Sequence, residues 1–290
     1  MAISIPETLA GTSLNLHPET DGLRTVVFMV FSVSEAFLPD GIGQDRDMTP
    51  ERSTVLFEIS PGQGEPSLRF VALPEGLTVS SVDGRSVGSV TVDLASASIQ
   101  RRVSQGRGGL LARAVLRSAE EEPSVVWDVT AGLGRDAMTL ALLGCRVVAF
   151  ERDPFLGMLL LDGHRRALAT SGDIAAAAGR LTIRIEDSRG ALLQEIDQSQ
   201  RPDIVLLDPM FPEGKGRAAV KKEATLIRLL VGEGANIQQD EELFSLAMKV
   251  ATERVVVKRS LRAPPITASL QPEATFSGKS VRVDRYRVRS

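Results

Sequence analysis

The chain of 290 residues has one cysteine and two histidines. A single thiol, Cys145, makes no intramolecular disulfide, which fits a reducing compartment. Cys145, His17 and His164 are too few for a thiolate zinc site, and no metal is expected. His164 follows an apolar helical run and reads as a helix-surface side chain. Long hydrophobic runs are absent too: none approaches the roughly 18 uninterrupted apolar residues of a membrane span. The opening "MAISIPETLAGTS" has no basic start followed by an apolar run, so it does not read as a signal peptide. Glu7, Glu19 and Asp21 precede the first basic residue, Arg24, which argues against a transit peptide. The expectation is a cytoplasmic protein with no membrane partner.

Net positive charge is also missing. The formal charge is −3, which does not advertise a polyanion partner. Its distribution is uneven, however. Residues 1–98 hold 5 Lys+Arg against 13 Asp+Glu, whereas residues 246–290 hold 10 basic and 3 acidic residues. Such asymmetry hints that the second part faces a polyanion.

What is present is core-forming sequence, 43% hydrophobic. Between residues 25 and 94, "TVVFMVFSV", "STVLFEI", "LRFVAL", "LTVSSVD" and "SVTVDL" alternate with turns such as "PDGIGQD". This predicts a small β-rich region, residues 1–98, with no evident chemistry. From residue 99 to 290 the rhythm changes. The runs "SVVWDVT", "RVVAFE", "LTIRIED", "DIVLLD" and "RVVVKR" are nearly continuous in apolar residues and alternate with helical segments. They predict a parallel, Rossmann-like α/β sheet with helices on both faces. Ligands of such sheets bind at the carboxyl ends of the strands, so those ends carry the functional reading.

The first strand ends at Asp128 and runs into a turn with Gly132 and Gly134. The glycines allow a tight turn and close approach of backbone to a nucleotide. The second ends at Glu151, 19 residues after Gly132, a place suited to ribose hydroxyls. The third ends at Asp187–Ser188, suited to an adenine edge. Each acid alone is as well explained as a helix cap, and Asp153 and Ser188 are candidate caps. Three consecutive strand ends carry more weight together. A dinucleotide and S-adenosylmethionine both fit so far. Asp136 would repel a pyrophosphate, while Asp128 and Asp136 suit a sulfonium and an ammonium, which favours S-adenosylmethionine.

The fourth strand end, "DPMFP", points the same way. Methylating an exocyclic amine requires its N–H groups to be oriented. Asp208 and the carbonyl near Pro209 are suited to accept them, and Phe211 to stack on the base, worth about 1–3 kcal/mol. The prolines hold that turn rigid.

The segments "VTAGLGRDA", "LGCRV", "DPMFP", "VKKE" and "VVVKR…APP" resemble the bacterial small-subunit (16S) ribosomal RNA guanine-N2 methyltransferase family. The resemblance runs from about Arg101 to the C-terminus. It implies a class I methyltransferase fold, S-adenosylmethionine as cofactor, and small-subunit rRNA or a 30S-type particle as partner. It implies cofactor contacts at Arg135 and Asp136, Glu151 and Arg152, Asp187 and Ser188, and Asp208. The family commonly has two serines where Asp187 and Ser188 stand. Arg101, Arg102 and Arg107 fall in a segment like the family's basic glycine loop, although Gln100 replaces its usual histidine. With Lys215, Arg217, Lys221, Lys222, Lys258 and Arg259 they form a set of candidate phosphate contacts. A helix-borne pair such as Lys221 and Lys222 is also what an ordinary solvated face looks like. Three other functions compete: an NAD-type oxidoreductase, a non-catalytic rRNA-binding assembly factor, and methylation of an amino group in DNA.

Overall fold

A computed structural model of the chain describes residues 25–27, 54–60, 66–82, 88–117, 122–195, 201–209, 218–231 and 237–288. It divides into two compact units, Met1–Val90 and Thr91–Ser290.

The first unit carries a five-stranded sheet in sequential order: β1 (Thr25–Val27), β2 (Thr54–Ser60), β3 (Leu68–Leu73), β4 (Gly76–Ser81) and β5 (Ser89–Thr91). β1 to β4 pair antiparallel. Period-2 alternation buries Ile59, Leu68, Phe70 and Val79. The Phe57 and Phe70 rings stack across β2 and β3 at 4.5 Å.

The second unit is a seven-stranded sheet. Its five parallel strands are β6 (Val125–Asp128), β7 (Arg146–Glu151), β8 (Leu181–Ile185), β9 (Ile204–Leu207) and β10 (Arg254–Ser260). β11 (Ala274–Ser277) and β12 (Val281–Arg287) extend it antiparallel, giving the order β11-β12-β10-β9-β6-β7-β8. The helices are α1 (Ala97–Val103), α2 (Leu110–Val115), α3 (Arg135–Leu142), α4 (Pro154–Leu168), α5 (Gly172–Ala178), α6 (Ser188–Glu195), α7 (Ala218–Val231) and α8 (Ile237–Val250). The apolar strands are buried as a parallel sheet requires: all four β9 residues and Val255 to Val257 of β10 are fully buried. Trp127, Phe150, Phe244 and Tyr286 join one core, with Phe244 and Tyr286 edge to face at 4.8 Å.

The sequence pattern anticipated the five parallel strands. It did not anticipate α5 or the β11–β12 hairpin. "VRVDRYR" in β12 looks too charged for an inner strand. Asp284 is nevertheless 1% exposed, because Arg282 pairs with it at 3.0 Å and Thr275 donates to it at 2.9 Å. The basic segment from Arg101 is also not a plain loop: Arg101 and Arg102 close α1, and Arg107 sits in a short 3-10 turn, Gly106–Gly108. The chain proceeds outward from β6 to β7 and β8, then returns to β9 on the other side of β6. That reversal opens a crevice at the carboxyl ends of β6 and β9.

Candidate active site

A cavity of about 320 Å³ occupies this crevice. The turn after β6 forms one wall. Gly132 and Gly134 adopt left-handed φ of +55° and +70°. A Cβ on Gly132 would meet nothing within 4 Å, whereas one on Gly134 would lie 2.4 Å from Leu160 Cδ1. Gly132 therefore keeps the backbone bare beside the cavity, and Gly134 keeps α3 close to α4.

Glu151 ends β7 and is 7% exposed. One carboxylate oxygen accepts from Gly132 N at 2.9 Å, the other from Asp153 N at 2.8 Å. Burial, with the charge of Asp153 adding to it, pushes this carboxyl up to about 7. Asp153 caps α4 by accepting from Phe155 N at 3.1 Å and Leu156 N at 2.9 Å, with Pro154 in the first turn. At the third strand end the cap is Asp187 rather than the candidate Ser188. Asp187 Oδ1 accepts from Arg189 N at 2.9 Å, and Ser188 Oγ donates to Val129 O at 2.9 Å. Burial works against ionisation of Asp187, but the bonds from Arg189 outweigh it and hold its carboxyl below the ordinary value.

The fourth strand end joins an alternating row of charges. Lys258, on β10, donates to Asp136 at 2.7 Å and also to Asp208. Arg102 donates to the other oxygen of Asp136 at 2.5 Å. Asp208 N donates to Thr130 Oγ1 at 2.6 Å, which ties the end of β9 to the turn after β6. Burial opposes the charge of Asp136, but Lys258 and Arg102 prevail and its carboxyl lies below its ordinary value. Burial raises that of Asp208; Lys258 opposes the rise and Asp136 reinforces it. Burial would lower Lys258, but its two carboxylates lift it above the usual lysine range. Beneath the row lies Asp128, 2% exposed, whose carboxyl is pushed well above the usual range by burial and by Asp136.

The cavity thus brings together Asp128, Gly132, Arg135, Asp136, Glu151, Arg152, Asp187, Ser188, Asp208 and Pro209 of the residues singled out in the sequence. Phe211, Lys215 and Arg217 lie outside the described residues, as do the side chains of Lys221 and Lys222 on α7. Three of the expected contact residues have other partners in the structure. Gly134 serves helix packing rather than the cavity wall. Lys258 is committed to two carboxylates instead of standing free for phosphate. Arg259 is 6% exposed and donates to Pro264 O at 2.8 Å, so it is a structural cation. The charge argument against a pyrophosphate also weakens, because two cations compensate Asp136. Sequence reasoning missed Thr130, Arg189, Ile227, Gln239, Asp240 and Leu243 on the wall. The helix-borne residues among them carry no local signal, since only the packing of α7 and α8 brings them there. Among the described residues no His, Cys, Asp or Glu group is arranged to hold a metal, and no helix is long and apolar enough to cross a membrane.

Comparison with known proteins agrees with this geometry. A family model described as "Putative SAM-dependent methyltransferase" matches residues 56–288. The match reaches back into β2, beyond the Arg101 boundary of the sequence resemblance. A curated relative, the ribosomal RNA small subunit methyltransferase J of Neisseria meningitidis serogroup C / serotype 2a, is 40% identical over 79% of this chain and 89% of its own length. The protein of the same name from Thioalkalivibrio sulfidiphilus is 40% identical over 73% of this chain and 81% of its own length. A solved SAM-dependent methyltransferase from Neisseria gonorrhoeae superposes with a TM-score of 0.59 at 33% identity, covering 84% of this chain and 86% of that one.

Proposed function

The chain belongs to the ribosomal RNA small subunit methyltransferase J family, and from that premise we propose that it methylates the exocyclic 2-amino group of a guanine in small-subunit rRNA, using S-adenosylmethionine. The observation that carries the proposal is the convergence of Asp208, Pro209 and the Asp136–Lys258 pair on the cavity that Glu151 and the glycine turn also line.

The residues fit the cofactor. The cavity volume is in the range of small-molecule sites, about 300–1,000 Å³. Gly132 leaves open space beside it. Glu151, already gripped by two N–H groups, retains lone pairs for ribose hydroxyls. Asp187 stands at the next strand end for the adenine edge. Asp128 and Asp136 place carboxyl oxygens on the wall as hydrogen-bond acceptors for the cofactor's ammonium. Arg102, paired with Asp136, and Arg135, paired with Glu223, bring exposed guanidinium groups to the same wall, and their remaining N–H groups suit the cofactor's carboxylate. When bound, S-adenosylmethionine supplies the electrophilic methyl group.

The remaining work falls to this chain. One oxygen of Asp208 is held by Lys258, leaving the other to accept an N–H of the guanine amino group. The carbonyl near Pro209 accepts the second N–H, so the nitrogen lone pair is aimed rather than left to rotate. Phe211 is assigned the stacking of the base, which must leave its own stack to enter. The preference for RNA over DNA rests on the named relatives, and a cytoplasmic location follows from that substrate. A non-catalytic assembly factor has no use for so complete a set of carboxylates, and an oxidoreductase none for Asp208 and Pro209.

Calorimetric titration with S-adenosylmethionine, with NAD as control, tests the cofactor; tritium-methyl transfer to small subunits tests the reaction. Asp208→Ala is expected to abolish transfer while the fold survives. Full turnover by that variant would sink the mechanism.

A further inference from the structure

Charge is distributed unevenly along the edge on which the cavity opens. On the β7–β8 side the cations face carboxylates. Arg184 pairs with Glu186, and Arg189 binds Asp187 at 2.5 Å. The charge of Arg152 falls on Asp187 and Asp240.

The β10–β12 side differs. Ser260 at the end of β10 faces Val281 at the start of β12, so the turn at residues 278–280 stands on the active edge. Leu261 N donates to Ser280 O at 3.0 Å, which fixes the segment after β10 against that turn. A Cβ on Gly278 would come within 3.3 Å of Leu110 Cδ2, so the turn also abuts the start of α2. Arg113 of α2 stacks on Phe276 of β11 at 4.8 Å from the ring centroid, holding helix and hairpin together. These contacts bring the segments that carry Arg107, Arg262 and Lys279 to one end of the edge, and Arg101 stands beside Arg102 at the end of α1. All four are exposed, and none has a carboxylate partner among the described residues. The row begins at the cavity itself, because Arg102 beside Arg101 lines it.

We infer that the RNA flanking the target nucleotide leaves the cavity over the β10–β12 end, its phosphates held by Arg101, Arg107, Arg262 and Lys279, and not over the β8 end. The inference rests on the proposed function and says where that substrate lies. Phosphate contacts supply sequence-independent affinity and set the register of the strand. Cations on the β8 side would have to give up a carboxylate before binding phosphate. Arg101, Arg107, Arg262 and Lys279 have none to give up among the described residues, whereas Arg282 and Arg285 of β12 are held by Asp284 and Glu273.

The test is filter binding of in vitro transcribed small-subunit rRNA across a salt series. Each single-strand phosphate contact contributes about 0.7 to the slope of log affinity against log salt. The R101A/R107A/R262A/K279A variant is expected to lose about 3 from that slope, at unchanged S-adenosylmethionine affinity. The R184A/R189A variant is expected to keep the wild-type slope. An unchanged slope in the first variant overturns the inference, as does an equal loss in the second. Methyl transfer by the wild-type protein to the same RNA tests the function separately. A protein that methylates yet keeps its slope in the fourfold variant refutes the rim and leaves the function standing.

Discussion

Gly132 and Gly134 have nearly the same backbone, φ +55° and +70°, but opposite surroundings. Alanine at either position should therefore separate cofactor binding from stability. A non-glycine residue in the left-handed region costs about 1–2 kcal/mol. Alanine also stiffens the unfolded chain, returning about 0.4–1 kcal/mol. For Gly132→Ala nothing else enters, since no atom lies within 4 Å of the new Cβ. The expected loss is about 1 kcal/mol. For Gly134→Ala the new Cβ falls 2.4 Å from Leu160 Cδ1, and Leu160 is 0% exposed, so its side chain must shift within the packed interior. Overpacking adds about 1–3 kcal/mol, for a total of about 2–4 kcal/mol. Urea unfolding followed by fluorescence reads both. The chain has one tryptophan, Trp127, and it is 5% exposed on β6 beside this turn. In calorimetry the order should reverse. Gly132→Ala, which adds a methyl group to the cavity wall proposed to carry the cofactor, should weaken S-adenosylmethionine binding at least tenfold. Gly134→Ala, measured while folded, should bind nearly as the wild type does. Equal destabilisation by the two substitutions would refute the clash at Leu160. Unchanged affinity in Gly132→Ala would refute the placement of the cofactor against this turn.

Two further predictions concern charge. Glu151 titrates at about 7 in the folded protein against an ordinary 4.5. Its stabilising contribution is thus present below the unfolded value and is lost as pH rises through about 7, a change of about 3 kcal/mol. Unfolding free energies of the cofactor-free protein and of Glu151→Gln, compared from about pH 5 to pH 8, should show this slope in the wild type only; parallel curves would remove Glu151 from the account. At Asp208, the facing charges are Lys258 from β10, Asp136 from α3, Arg102 from α1 and Asp128 from β6. Lys258→Met should move the acid limb of the kcat/KM profile to higher pH and Lys258→Arg should restore it; an unmoved limb in Lys258→Met would make Lys258 merely structural.

Much of the site could be read from the sequence because parallel strands impose a simple rule: their carboxyl ends share one edge. Asp128, Glu151, Asp187 and Asp208 each close an apolar run, and the topology makes them neighbours without any information on side-chain contacts. The cations resisted the same reading for two reasons. First, their partners are remote in sequence. Arg102, Asp136, Asp208 and Lys258 form one row only because the ends of α1, β9 and β10 meet the start of α3. No local pattern distinguishes the committed Lys258 from Lys279, which has no carboxylate partner among the described residues. Second, charge pattern alone treats Lys258 and Arg259 as equivalent, whereas the strand's period of 2 separates them. Adjacent strand residues point to opposite faces, so two cations in succession on β10 cannot both meet the same ligand. One turns to Asp136 and Asp208 in the cavity, and the other is buried against Pro264. The carboxyl-end rule places a residue along the strand, and the pleat then decides which face it serves. Both are needed before a charge at a strand end is given to cofactor, RNA or core.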